Sequence, residues 1–211
     1  MRRLLQILTA TLLLLLPFSA ASAATVLNGG FETPGVVPAF NTLNNGDTTM
    51  GWLVGRNGVD QIGSYWQAAE GKQSLDLNAI DAGSVEQMIS GLILGQKYKV
   101  IFAMAGNTDL GPVIKNMKVS VGATNANYTF DTTGKSHSNM GWLYKSLLFT
   151  ATSASQLLKF DSLDTLSASG ATLDAVSVAA VPVPAAGLLL LGALGGLAAL
   201  RRRNRFSAMM A

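Results

Sequence analysis

From about residue 24 to residue 180 the chain alternates apolar and polar positions with a period of two. Lys97-Tyr98-Lys99-Val100-Ile101-Phe102-Ala103-Met104 puts Tyr98, Val100, Phe102 and Met104 on one face of an extended segment. Met117, Val119 and Val121 alternate in the same way with Lys118 and Ser120. Further runs of this kind are Val59 to Ile62, Ser74 to Leu77, Val85 to Ile89, Tyr128 to Phe130, Trp142 to Thr150, Leu157 to Phe160 and Thr172 to Ala179. Turn-forming clusters separate them, among them Asn44-Asn45-Gly46-Asp47, Arg56-Asn57-Gly58, Leu94-Gly95-Gln96 and Thr133-Gly134-Lys135. No stretch of this body keeps a helical period over three turns. Short strands punctuated by turns predict an all-β domain over residues 24–180, an antiparallel β-sandwich of jelly-roll type, with a closed barrel as the alternative.

The pattern changes at both ends. Arg2 and Arg3 precede an apolar run through Leu12 to Leu16, Pro17 breaks it, and Ala21-Ser22-Ala23 offers a small-x-small cleavage site. Residues 1–23 therefore read as a signal helix removed by signal peptidase, a retained anchor being the alternative. At the other end Val181-Pro182-Val183-Pro184 interrupts backbone pairing. Residues 185–200 carry no charge, and Arg201, Arg202, Arg203 and Arg205 follow, before a tail over 206–211. A helix over those sixteen residues spans about 24 Å, slightly less than a hydrocarbon core of about 30 Å, a gap that snorkelling arginines and local thinning absorb. A single transmembrane helix is expected there, with the arginines cytoplasmic and the body outside.

Charge refines this picture. The chain has 15 basic and 12 acidic side chains, one histidine and no cysteine. Setting aside the six terminal arginines leaves nine basic against twelve acidic residues, so the body is acidic and offers nothing to neutralise phosphates. Nucleic acid is excluded as an expected partner. Without cysteine there is no disulfide framework or thiol nucleophile, and the lone His137 rules out a multi-histidine zinc site.

Two resemblances follow from these residues. Pro182 and Pro184, the short apolar helix and the arginine cluster make residues 181–205 similar to the PEP-CTERM sorting signal, with Val183 where that family has glutamate. The resemblance implies an exosortase as partner, transient insertion in the inner membrane, and a destination at the cell surface or outside it. In the body, Leu27-Asn28-Gly29-Gly30-Phe31-Glu32, Gly51-Trp52, Ser74-Leu75-Asp76-Leu77, Gly95-Gln96-Lys97-Tyr98 and Leu173-Asp174-Ala175-Val176 resemble galactose-binding-like jelly rolls, especially the choice-of-anchor C family. That likeness implies a fold and a location and carries no ligand. It also suggests that Glu32 and Asp174, on adjacent first and last strands, hold a structural calcium (Ca2+). The competing reading is that both carboxylates accept hydrogen bonds from turn amides.

Candidate chemistry beyond these is sparse. Tyr65 and Trp66, in a loop-like stretch beside Gly63, and Asn107 and Asp109, at the end of a strong strand, pair aromatic planes with polar groups as sugar sites do. Trp52 and Trp142 read as core. His137 lies in a polar turn and no nucleophile elbow is present, so no catalytic residue is expected. Asp60, Glu70, Asp76, Asp161 and Asp164 are carboxylates that folding could pair, but their spacing singles out none. The sequence thus predicts an exported, surface-sorted, non-enzymatic protein of the bacterial matrix or envelope that binds carbohydrate or exopolysaccharide. A structural or adhesive role without glycan binding and a glycan hydrolase are the alternatives.

Overall fold

The computed structural model describes residues 24–35 and 37–182. These form eleven strands and, among the described residues, no helix. In chain order they are β1 (Phe40–Leu43), β2 (Leu53–Arg56), β3 (Val59–Ile62), β4 (Ser74–Asp76), β5 (Gly83–Ser90), β6 (Lys97–Gly106), β7 (Ile114–Val121), β8 (Thr124–Asp131), β9 (Leu143–Thr150), β10 (Ser155–Ser162) and β11 (Ala171–Ala180). A six-stranded sheet runs β1-β3-β4-β11-β6-β9 and a five-stranded sheet β2-β5-β10-β7-β8, every pairing antiparallel. The expected all-β antiparallel sandwich is what the chain forms. The signal segment, Val183, Pro184, residues 185–200 and Arg201, Arg202 and Arg203 lie outside the described residues; Pro182 is exposed just beyond β11.

The inward positions of both sheets make one core. Tyr98, Val100, Phe102 and Met104 of β6 are all fully buried, as are Met117, Val119 and Val121 of β7. A chain of aromatic contacts ties the sheets together: Phe31 packs on Trp52 at 5.6 Å, Trp52 on Phe160 at 6.0 Å, Phe160 on Phe102 at 5.3 Å and Phe102 on Tyr128 at 5.1 Å. Such pairs add directional energy to the area they bury. The Asn-Gly-Gly-Phe segment serves this core. Asn28 takes a left-handed backbone, donates through Nδ2 to the carbonyls of Met50 and Thr33, and accepts the Trp52 indole N–H on its own carbonyl at 3.2 Å.

Two strands escape the period-two pattern. β1 and β2 have only four residues each, and each places one side chain in the core, Leu43 and Val54. The last strand departs from regularity differently. Its register against β6 slips between Asp174 and Ser177, where Ala175 has φ of 50°. That extra residue lets Leu173, Val176 and Val178 all face inward while Thr172 and Asp174 face out.

Candidate functional site

The outer face of the six-stranded sheet is where the structure gathers polar chemistry. Register aligns Thr42 with Asp60, Asp60 with Asp76 and Asp76 with Thr172, a row across β1, β3, β4 and β11 on the face away from the core. Of the five carboxylates with undecided partners, only Asp60 and Asp76 come together as cross-strand neighbours. Asp161 lies on the other sheet beside Lys159, and Asp164 accepts the Asn116 amide.

A roof covers this row. Residues 63–73 leave β3, cross the face and re-enter at β4. Gly63 makes the crossing: its amide donates to the Ala39 carbonyl at 2.8 Å, and a Cβ there would stand 1.9 Å from the Val37 carbonyl oxygen, so only glycine fits. Trp66 anchors the roof, 4% exposed, with its indole N–H on the Ser74 hydroxyl at 2.9 Å. Two carboxylates hold the far half. Asp174 Oδ2 accepts the amides of Ala69 and Glu70 at 2.8 and 3.0 Å, and Glu32 Oε1 those of Lys72 and Gln73 at 2.7 and 2.9 Å. The turn containing His137 locks it from outside: the Gln67 amide donates to the His137 carbonyl at 3.0 Å, and the Trp142 indole N–H to the Gln67 carbonyl at 2.8 Å.

Glu32 and Asp174 are therefore neighbours, though not on adjacent first and last strands: Glu32 lies in the segment before β1, β1 and β11 are separated by β3 and β4, and each carboxylate accepts backbone amides. Asp174 Oδ1 accepts a further amide, that of Ala175, at 2.6 Å. Burial, and to a lesser degree the Glu32 charge, raise Asp174 to about 6 against the pull of those amides. No third acidic or histidine side chain joins them in a metal-holding group among the described residues. Both Asp174 oxygens and Glu32 Oε1 accept amides, while Glu32 Oε2 meets no donor among the described residues.

Beside the roof the face opens into a cleft of ≈ 280 Å³. All four residues expected to bind ligand line it: Tyr65, Trp66, Asn107 and Asp109. Their roles differ. Trp66 is buried packing, whereas the Tyr65 ring is 38% exposed and meets Phe40, 50% exposed, edge-on at 5.8 Å. One hydrogen-bond chain sets the polar groups. Asp76, 1% exposed, accepts the amides of Asn78 and Gly170 on Oδ1 and the Asn107 side-chain amide on Oδ2 at 2.7 Å. Asn107 in turn accepts the Asp109 amide at 2.9 Å, and Asp109 takes the Tyr65 hydroxyl at 2.9 Å and the His137 imidazole at 2.8 Å. Burial drives Asp76 up to about 7 even though all three donors favour its charged form.

Sequence reading missed Phe40, Thr42 and His137. Phe40 and Thr42 lie on a strand too short to show a period. His137 looked like a free surface residue, yet its ring rests 4.6 Å from Tyr65 and 6.0 Å from Trp66. Nothing in the turn's composition signals that contact, which joins segments seventy residues apart.

Among known proteins, Halomucin from Haloquadratum walsbyi (strain DSM 16790 / HBSQ001) is 30% identical over 168 residues, covering 76% of this chain. The chain spans only 2% of that relative's length. Solved structures with a similar course include TmCBM61 in complex with β-1,4-galactotriose, at 17% identity and TM-score 0.46 over 76% of this chain and 100% of the other. A family 35 carbohydrate binding module from Clostridium thermocellum aligns at 12% identity and TM-score 0.45, over 68% and 100%. The CBM22-1 xylan-binding domain of Paenibacillus barcinonensis Xyn10C aligns at 16% and 0.44, over 78% and 99%. The family model described as Protein of unknown function (DUF642) matches residues 24–179, essentially the whole sandwich, and the chain belongs to that family.

Proposed function

We propose that this chain binds carbohydrate without transforming it, through the cleft beside the roof. The observation that carries the reading is the juxtaposition of two partly exposed rings, Phe40 and Tyr65, with fixed hydrogen-bonding groups on Asp60, Asn107 and Asp109. Sugar rings offer C–H faces to aromatic planes and hydroxyls to carboxylates and amides, so such a mixed wall suits them. Catalysis fits less well. A hydrolase needs a mobile or reachable acid, whereas both Asp76 oxygens accept fixed donors and the side chain is buried.

The same proposal places the domain outside the cell. The N-terminal signal pattern and the Pro-apolar-Arg order over 181–205 support export by signal peptidase, handling by an exosortase and release to the surface or matrix. Mass spectrometry of released protein is expected to begin at Ala24 and to lack peptides from 188–205.

Affinity electrophoresis in gels containing neutral polysaccharides or the host's exopolysaccharide tests the binding. The protein should be retarded, and Tyr65→Ala or Phe40→Ala should weaken retention at least about tenfold, in keeping with a stacking contact. Met88→Ala, on the opposite sheet, should change nothing. Unretarded wild-type protein would overturn the reading in favour of a structural or adhesive role, and release of reducing sugar would establish a hydrolase.

A further inference from the structure

The cleft has a marked charge asymmetry. Asp60, Asp76 and Asp109 line it, and no lysine or arginine does. The Lys115 ammonium, which feels the charges of Asp76 and Asp109, is turned to the backbone: Nζ donates to the carbonyls of Leu110 and Ser169 at 2.7 and 2.6 Å. Asp60 is half-buried on β3, and its Oδ1 accepts the Thr42 hydroxyl at 2.6 Å. Its Oδ2 meets no donor, and no cation pairs with it, among the described residues. Burial lifts the Asp60 carboxyl above its usual range, the mark of a charge without a counter-charge. Thr172, two strands from Asp60 and opposite Asp76 in register, is fully buried with a hydroxyl that meets no hydrogen-bond partner, but it does not line the cleft.

Resting on the carbohydrate reading, we infer that the cleft selects sugars by charge: it prefers a 2-amino-2-deoxy sugar with a protonated amine over its neutral counterpart and rejects uronic and sulfated sugars. An ammonium supplies three donors and the absent positive charge beside Asp60, and the neighbouring faces of Phe40 and Tyr65 favour a cation as well. A uronate brings like charge beside Asp60, whose carboxylate has no basic partner among the described residues, so its desolvation there goes uncompensated.

Calorimetric titration of the full chain in mild detergent at pH 6 and low salt decides this. The probes are the β-1,4 tetramers of glucosamine and of glucose, and tetragalacturonate. The glucosamine tetramer should bind about tenfold tighter than the glucose tetramer, with no measurable binding of the uronate. Asp60→Asn should cost the glucosamine tetramer more affinity than the glucose tetramer and so shrink the gap below about threefold, and 0.5 M NaCl should shrink it in the wild type, as screening requires. Equal affinity for amine and neutral tetramers, or uronate binding as tight as neutral, overturns the charge inference while sparing the carbohydrate reading. Binding of none of the three overturns both.

Discussion

The two outward faces of this sandwich are built from strands of similar composition and end up in opposite states. On the five-stranded sheet the outward side chains remain in solvent or pair by charge. Met88 is 59% and Leu157 38% exposed, and Lys159 sits 3.9 Å from Glu86 and 3.0 Å from Asp161. On the six-stranded sheet the corresponding positions Ser74, Asp76, Thr172 and Asp174 are at most 1% exposed, and their carboxylates meet amides instead of cations. The difference is one loop. Residues 63–73 fold back over one sheet and convert an ordinary solvated surface into a second, polar interior with an opening. A face of that kind can discriminate among ligands, because groups in it have already given up water.

Removing the roof's anchor is the largest perturbation that contrast predicts. Trp66→Ala should destabilise the domain by about 3–5 kcal/mol in denaturant melts, the usual cost of emptying a buried aromatic site. Tyr65→Ala, at the rim, should cost far less stability. If both cost the same, the roof is not held as described.

Next in size is the charge beneath the roof. An unfolded aspartate titrates near 3.9, and Asp76 is raised to about 7. Between those values the folded state keeps a proton that the unfolded chain has released. The contribution of Asp76 is thus fully present below about pH 4, declines as pH rises to about 7, and stays low above. Asp76→Asn, which keeps an acceptor for the Asn78 and Gly170 amides, should remove this decline. Melts at pH 5 and pH 8 should show the variant gaining on wild type at the higher pH, and a gap that does not change with pH would count against a buried charge there.

The open face should respond weakly. Lys159→Ala breaks both of its ion pairs and should shift stability by less than about 1 kcal/mol, with a smaller shift in high salt. The smallest expected effect concerns Glu32 and Asp174. With amides on Glu32 Oε1 and on both Asp174 oxygens, chelator should leave the melting temperature unchanged. A fall on adding EDTA, reversed by calcium, would put a cation between them.

Much of the fold was readable because nine strands are long enough, or apolar enough on one side, to display their period. β1 and β2 were not, since one inward residue each makes no pattern. At the site, Tyr65, Trp66, Asn107 and Asp109 stood out as aromatic and polar residues at loop boundaries, and the structure brings them to one cleft. Their division of labour was hidden: Trp66 and Tyr65 are adjacent in sequence, yet one ring is interior and the other is rim. The pairing of Asp60 with Asp76 was equally hidden, because register between two strands joined by the eleven residues 63–73 depends on how that roof closes.

The placement of β11 has a mechanical consequence. It lies between β4 and β6, and its eight aligned pairs with β6 run almost to the point where the chain leaves the domain at Val181. Tension applied from that exit runs along the strand and loads those pairs together in shear, where a peripheral strand would peel one bond at a time. Because Asp174 on this same strand holds the amides of Ala69 and Glu70 in the roof, a load that shears β11 from β6 would loosen the roof at the same time.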